Sequence, residues 1–72
     1  MAKGGNAVYR VTQVIGTSSQ SWEDAAKNAV KTASSTLRDL RIAEITKLDV
    51  KVEDGKITQF RARLALSFKY DS

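Results

Sequence analysis

The sequence predicts an α+β fold of β-α-β-β order: a three-stranded antiparallel/mixed sheet, strand order 1-3-2, with one helix packed on one face. Three observations carry this. β-Branched residues dominate 8–15, a one-face helical spacing of apolar residues starts at Trp22, and two alternating runs flank the dipeptide Asp54-Gly55. A right-handed crossover through the helix makes the first two strands parallel. The hairpin then puts the third strand between them, antiparallel to both.

The first strand is Val8-Tyr9-Arg10-Val11-Thr12-Gln13-Val14-Ile15, followed by turn formers over Gly16–Gln20 that read as a loop. Ser21 can cap a free amide near Asp24, and Glu23 and Asp24 sit in the electropositive first turn of the helix. Apolar residues at 22, 25, 26, 29, 30, 33 and 37 then share one face, predicting a helix over 22–38. Most are alanine, so this face is flat and can approach a sheet closely. Lys27, Asn28, Lys31 and Ser34 lie opposite, and Arg38 and Arg41 suit the negative pole of the helix.

The second strand is predicted over Arg41–Glu53, with Leu48, Val50 and Val52 on one face and Asp49, Lys51 and Glu53 on the other. Upstream, Ala43 and Ile45 have the opposite parity. Either a bulge or a strand serving two cores would account for that. Asp54-Gly55 is a two-residue hairpin signal because both positions tolerate positive φ. On the return strand Phe60, Ala62, Leu64, Leu66 and Phe68 share one face, and Gln59, Arg61, Arg63, Ser67 and Lys69 share the other.

The organisation is one domain over 8–72 behind a small, polar, flexible arm at 1–7 containing Gly4-Gly5. The chain has no Cys and no His, which removes disulfides, thiolate or imidazole metal sites and the commonest general base. Gly4-Gly5 precedes the first strand, so there is no phosphate-cradling loop, and no pair of carboxylates is set for acid–base work. An enzyme is not expected. No apolar stretch approaches the roughly 20 residues of a membrane span, and the leader lacks a signal-peptide core, so the expected location is cytoplasmic. The net charge of +4 suits a small anionic ligand without naming one. A basic nucleic-acid-binding module is disfavoured, because no aromatics interleave with the basic residues.

Length argues for assembly. A chain of 72 residues without disulfide or metal staples is marginal alone, which points to a homo-oligomer. A helix of about 16 residues spans roughly 24 Å, whereas a return strand of about 14 residues spans roughly 46 Å. One helix cannot cover that hairpin. The apolar face of the return strand, with Leu64, Leu66, Phe68 and Tyr70, is the expected interface.

Among polar candidates, Arg61, Arg63 and Lys69 form a basic row that could line an anion site or a channel; a solvated strand face, or ion pairs with Asp49 and Glu53 across the hairpin, is the alternative. Glu44, Asp49, Glu53 and Asp54 are the candidates for a hard cation. They lack the dense oxygen-ligand loop of an EF-hand, so such a site would be shared between subunits. Trp22, on the apolar helix face, reads as a packing residue, and Tyr9 and Tyr70 as aromatics at strand ends.

VYRVTQVIGTS, SWEDAAKNAVKTASSTLRDLRIAEI and DGKITQFRARLALSFKY, in this order and spacing, resemble the dodecin family over nearly all of the chain after residue 7. The resemblance implies a β-α-β-β subunit, a hollow dodecamer, and flavins bound in pairs at subunit interfaces for storage or quenching. It also implies two flavin-site positions. The first, where the family has a Trp that stacks on the isoalloxazine ring, is Ile42, aligned on the Ala-Glu-hydrophobic triplet. The second, where the family has a Gln hydrogen-bonded to the ring edge, is Arg61. Ile42 offers no π-face and Arg61 no acceptor, so binding of FMN or riboflavin is expected to be weakened. The chain is more similar to the subgroup without the stacking Trp, which includes calcium dodecins.

Overall fold

A computed structural model describes residues 7–36 and 38–69. The elements are β1 (Tyr9–Ser18), α1 (Trp22–Thr36), β2 (Leu40–Glu53) and β3 (Lys56–Lys69). They form a three-stranded sheet of order β1-β3-β2, in which β3 is antiparallel to both neighbours. The predicted fold class and strand order are those observed. Leu37, Tyr70 and the arm apart from Ala7 lie outside the described residues.

Strand β1 runs three residues further than the sequence suggests. Gly16, Thr17 and Ser18 pair with Ala62, Arg61 and Phe60, so these turn formers are strand and the loop begins after them. The reason is packing. A Cβ at Gly16 would overlap the Ala25 carbonyl oxygen and lie 2.8 Å from the Ala29 Cβ, so the helix rests directly on strand backbone. The loop is then fixed by side chains: the Ser18 hydroxyl donates to Asp24 Oδ2 at 2.7 Å and accepts from the Gln20 amide at 2.8 Å. Asn28 donates to the Thr17 carbonyl at 3.1 Å.

The predicted cap is present: the Asp24 amide donates to Ser21 Oγ at 3.0 Å. The helix ends at Thr36, short of residue 38. Asp39, at φ 58°, turns the chain into β2 in the left-handed region that Asp tolerates better than most residues.

Ala25, Ala29 and Ala33 of α1 bury against Ala62, Leu64, Leu66 and Phe68 of β3. These four strand residues are at most 1% exposed. Leu64, Leu66 and Phe68, expected at the interface between subunits, are covered within the lone chain by its own helix, because α1 runs back from Trp22 over the Phe60–Phe68 part of β3. The part of the hairpin that the helix misses is the opposite end, toward the turn.

The parity change in β2 is a bulge. Register shifts occur between Ile45 and Lys47 and between Leu40 and Ile42 on β2, and a third comes between Lys51 and Val52, where β3 carries the extra residue Thr58. Ala43 opposes Leu66, Ile45 opposes Leu64, Leu48 opposes Ala62 and Val50 opposes Phe60, so the apolar residues stay on the helix face throughout. At the turn Asp54 and Gly55 have φ of 52° and 74°, the two positive values of a type I′ hairpin.

Gly16→Val should be the most disruptive single change on β1, because its branched side chain would meet the Ala25 backbone carbonyl and the short Ala29 side chain, neither of which can swing aside; overpacking of this kind costs about 1–3 kcal/mol or more. Leu66→Ala should cost about 2–5 kcal/mol through the cavity it leaves. Chemical denaturation of both variants beside the wild type checks this, and an unchanged midpoint for Gly16→Val would contradict the close helix–strand contact.

Candidate functional site

The side of the sheet away from the helix carries most of the polar residues of β2 and β3, whereas β1 divides its polar residues between the two faces. From β3 it presents Gln59, Arg61, Arg63, Ala65, Ser67 and Lys69, opposed by Thr17, Ile15, Gln13, Val11 and Tyr9 on β1. From β2 it presents Lys51, Asp49, Lys47, Glu44 and Ile42. The alternation of β3 dictates this arrangement, and the bulge at Thr46 carries it across β2.

Asp49 is its best-anchored residue. Arg61, directly opposite, forms a two-pronged pair with it: Nε donates to Oδ1 at 2.7 Å and Nη2 to Oδ2 at 3.1 Å. The Asp49 carbonyl accepts from Trp22 Nε1 at 3.0 Å. The Trp22 ring meets Phe60 edge-on, centroids 5.3 Å apart and planes at 75°. Trp22 is thus a packing residue at the helix start, and it also ties that start to β2. The Arg61 hydrogen bond holds the Asp49 carboxyl below its ordinary value near 3.8 against an opposing desolvation, with smaller contributions in the lowering direction from the Arg61, Arg63 and Lys47 charges. Asp49 in turn raises Arg61 further above its usual range.

The basic row is therefore divided. Arg61 is held by Asp49, the cross-hairpin alternative raised by the sequence. Arg63 opposes Lys47, a second cation, and Lys69 opposes Tyr9 at the other end of the sheet. The acidic candidates are divided too: Glu53 lies 3.5 Å from Lys51, Asp49 is engaged by Arg61, and Glu44 opposes Ala65. Among the described residues no three carboxylates gather in a form that could hold a metal ion.

Ile42, exposed, opposes Ser67, six positions along β3 from Arg61. They share a face but stand about 20 Å apart, at about 3.3 Å per residue. One chain does not bring them to one ring.

The sequence reading missed a groove of about 510 Å³ on the helix side, between α1 and β2, floored by Ala26, Val30, Ala43, Ile45 and Leu64 and rimmed by Lys27 and Lys31. Its signal was present in the apolar residues at 26 and 30, which widen the helix stripe beyond what contact with β3 through 25, 29 and 33 requires.

The dodecin family profile matches residues 8–71. The calcium dodecin of Mycobacterium tuberculosis is 45% identical over 64 residues, which is 88% of this chain and 89% of that protein. Among solved structures, dodecin from Streptomyces coelicolor superposes with a TM-score of 0.87 at 39% identity, covering 96% of this chain and 99% of that one. The calcium-chelating antigen calcium dodecin of M. tuberculosis, described with a novel calcium-binding site, gives 0.79 at 42% identity over 90% of this chain and 93% of that one.

The Asp49–Arg61 pair predicts a pH response with a definite sign. A carboxyl whose folded value is depressed stabilises the fold fully above its ordinary value near 3.8 and loses that contribution as pH falls through the lower folded value. The pair is therefore complete at neutral pH and opens only in acid. Following the Asp49 carboxyl by NMR should give a midpoint below that of an ordinary aspartate, and Arg61→Gln should move it upward. Identical midpoints in the two proteins would remove the pair from the account.

Proposed function

The chain belongs to the dodecin family, and from that premise we propose that it is a non-enzymatic, cytoplasmic small-ligand-binding and storage protein that works as a hollow homo-dodecamer, with paired flavin stacking weakened. One observation carries the reading. The position that the family resemblance gives to the ring-edge Gln is Arg61, whose guanidinium is already committed to Asp49 through two hydrogen bonds. A flavin there would have to break that pair and leave two charges to be resolvated. At the stacking position Ile42 supplies dispersion only, without the about 0.5–1.5 kcal/mol that a stacked aromatic adds. FMN or riboflavin is the ligand class that the resemblance implies, and Arg63 and Lys47, next along the sheet from Arg61, favour the phosphate-bearing member.

A second reading is an ion-binding shell without flavin, favoured by 45% identity to a calcium dodecin. Glu44, Asp49 and Glu53 do not meet within the described residues of one chain, so one chain does not fit a calcium ion by itself. A site of this kind needs carboxylates from more than one subunit.

Native mass spectrometry of gently purified protein should report twelve chains and any retained small molecule. Riboflavin fluorescence should be quenched weakly or not at all by micromolar wild type. Ile42→Trp combined with Arg61→Gln should restore saturable quenching near one flavin per chain, with either change alone giving less. Strong wild-type quenching would refute the weakened-site reading, as would an assembled double variant that ignores flavin. A thermal shift on adding calcium, abolished by Glu44→Gln with Glu53→Gln, would favour the second reading.

A further inference from the structure

We propose that the tip of the β2–β3 hairpin is a docking element that seats its apolar face in the α1–β2 groove of a second copy of this chain. The proposal rests on the homo-oligomer reading above and adds which surfaces meet.

Helix α1 starts beside Asp49 and Phe60, so the hairpin beyond them projects as a two-stranded ribbon with no helix above it. The molecule is drawn out accordingly: its longest extent is 54 Å and its radius of gyration 14.9 Å, against about 11 Å for a compact chain of this length. The helix face of the sheet nevertheless stays apolar. Val52 and Ile57 oppose each other there, each 58% exposed, with Leu48 at 49% behind them. The Thr58 bulge is what keeps Ile57 on that face beside Val52. A two-stranded ribbon is marginal in water unless its apolar face packs on something.

The same chain carries the complementary feature. The α1–β2 groove is lined almost wholly by apolar atoms, with Ala26, Val30, Ala43 and Ile45 around Leu64, and Ile45 is still 51% exposed. A ribbon cannot reach its own groove: Val52 is seven residues beyond Ile45 on one extended strand, about 23 Å. The contact must therefore run from chain to chain, from a knob on one copy to a slot on the next. Such a head-to-tail contact closes into rings when its rotation allows. Charge agrees with this direction. Lys27 on the groove rim is paired with Glu23 at 3.7 Å, and Glu53 on the ribbon with Lys51 at 3.5 Å. Among the described residues Lys31 on the rim and Asp54 at the turn have no ion pair, and they are opposite in sign.

The test uses the full chain, which has no cysteine of its own. Val30→Cys with Val52→Cys in one protein should give covalently linked multimers on mild oxidation, seen on a non-reducing gel, while either single cysteine should leave the chain unlinked. Within one chain these positions are far beyond the roughly 7 Å limit for a disulfide. In parallel, Val52→Asp with Ile57→Asp should lower the mass by light scattering while leaving the far-UV circular dichroism unchanged, since both side chains are already more than half exposed. An assembled wild type whose double-cysteine variant forms no inter-chain link and whose Asp variant stays fully assembled would overturn the docking while leaving the oligomer standing. Cross-linking by Val52→Cys alone would mean ribbon against ribbon and would overturn it as well. A monomeric wild type would overturn the oligomer reading and the docking with it.

Discussion

The rest of the subunit depends on the contact between Gly16 and the alanine face of the helix. Side chains on both surfaces would hold a helix and a sheet about 10 Å apart; here the Ala25 carbonyl lies where a Cβ of residue 16 would be. That proximity makes the core thin. Three alanines from the helix meet Ala62, Leu64, Leu66 and Phe68 from β3, and there is no depth for a second layer. A core of this kind is complete over only one half of the hairpin. The other half inherits the same apolar alternation with nothing above it in the lone chain, Val52 and Ile57 being exposed there.

The bulges have a matching role on the two long strands. Without the extra residue at Thr46, the parity of β2 would send either Ala43 and Ile45 or Leu48 and Val50 to the wrong face. With it, the helix side stays apolar from Leu40 to Val52, and the outer side collects Lys47, Asp49 and Lys51 against Arg63, Arg61 and Gln59. The Asp49–Arg61 pair is a consequence of that register. Both groups are largely exposed, so the pair contributes little to stability at physiological salt. Its importance is chemical: it occupies the donors that a ligand at Arg61 would otherwise use.

Much of this was legible in the sequence because it depends on period and turn chemistry. The helical spacing from Trp22, the alternation of Phe60–Phe68 and the Asp54-Gly55 turn each specify local structure, and topology follows from the crossover rule. The cross-hairpin partner of Arg61 was legible as one of two alternatives. Two features of the packing were not legible for a shared reason. Gly16-Thr17-Ser18 has the composition of a turn, but a glycine that lets a helix touch a strand and one that turns the chain look alike until the packing is known. Leu64, Leu66 and Phe68 were read as excess apolar surface because strand length outran helix length. That mismatch is real, but the sequence does not say which end of the strand the helix covers. Burial by the chain itself and burial by a partner leave the same pattern of residues.

The positions of Ile42 and Arg61 carry the assembly argument to the ligand site. They lie on one face and six β3 positions apart, about 20 Å, more than a three-ring system can span. A site of the family's type that uses both positions on one ring must draw them from different chains. On the proposed homo-oligomer reading, the coverage that the hairpin lacks and a complete ring-binding site would both come from the same event, the approach of a second copy. Ligand affinity and assembly would then be linked: a ligand held between chains would stabilise the contact that creates its site, and changes that weaken the contact would weaken binding even when they touch no ligand. The Asp49–Arg61 pair stands outside this linkage. Its partners belong to one chain and oppose each other in one ladder, so it forms in the lone subunit and is already in place when chains meet. Assembly would therefore present to a ligand a charge-neutralised pair at the position where the family resemblance expects an amide, with the Arg61 donors already occupied by Asp49.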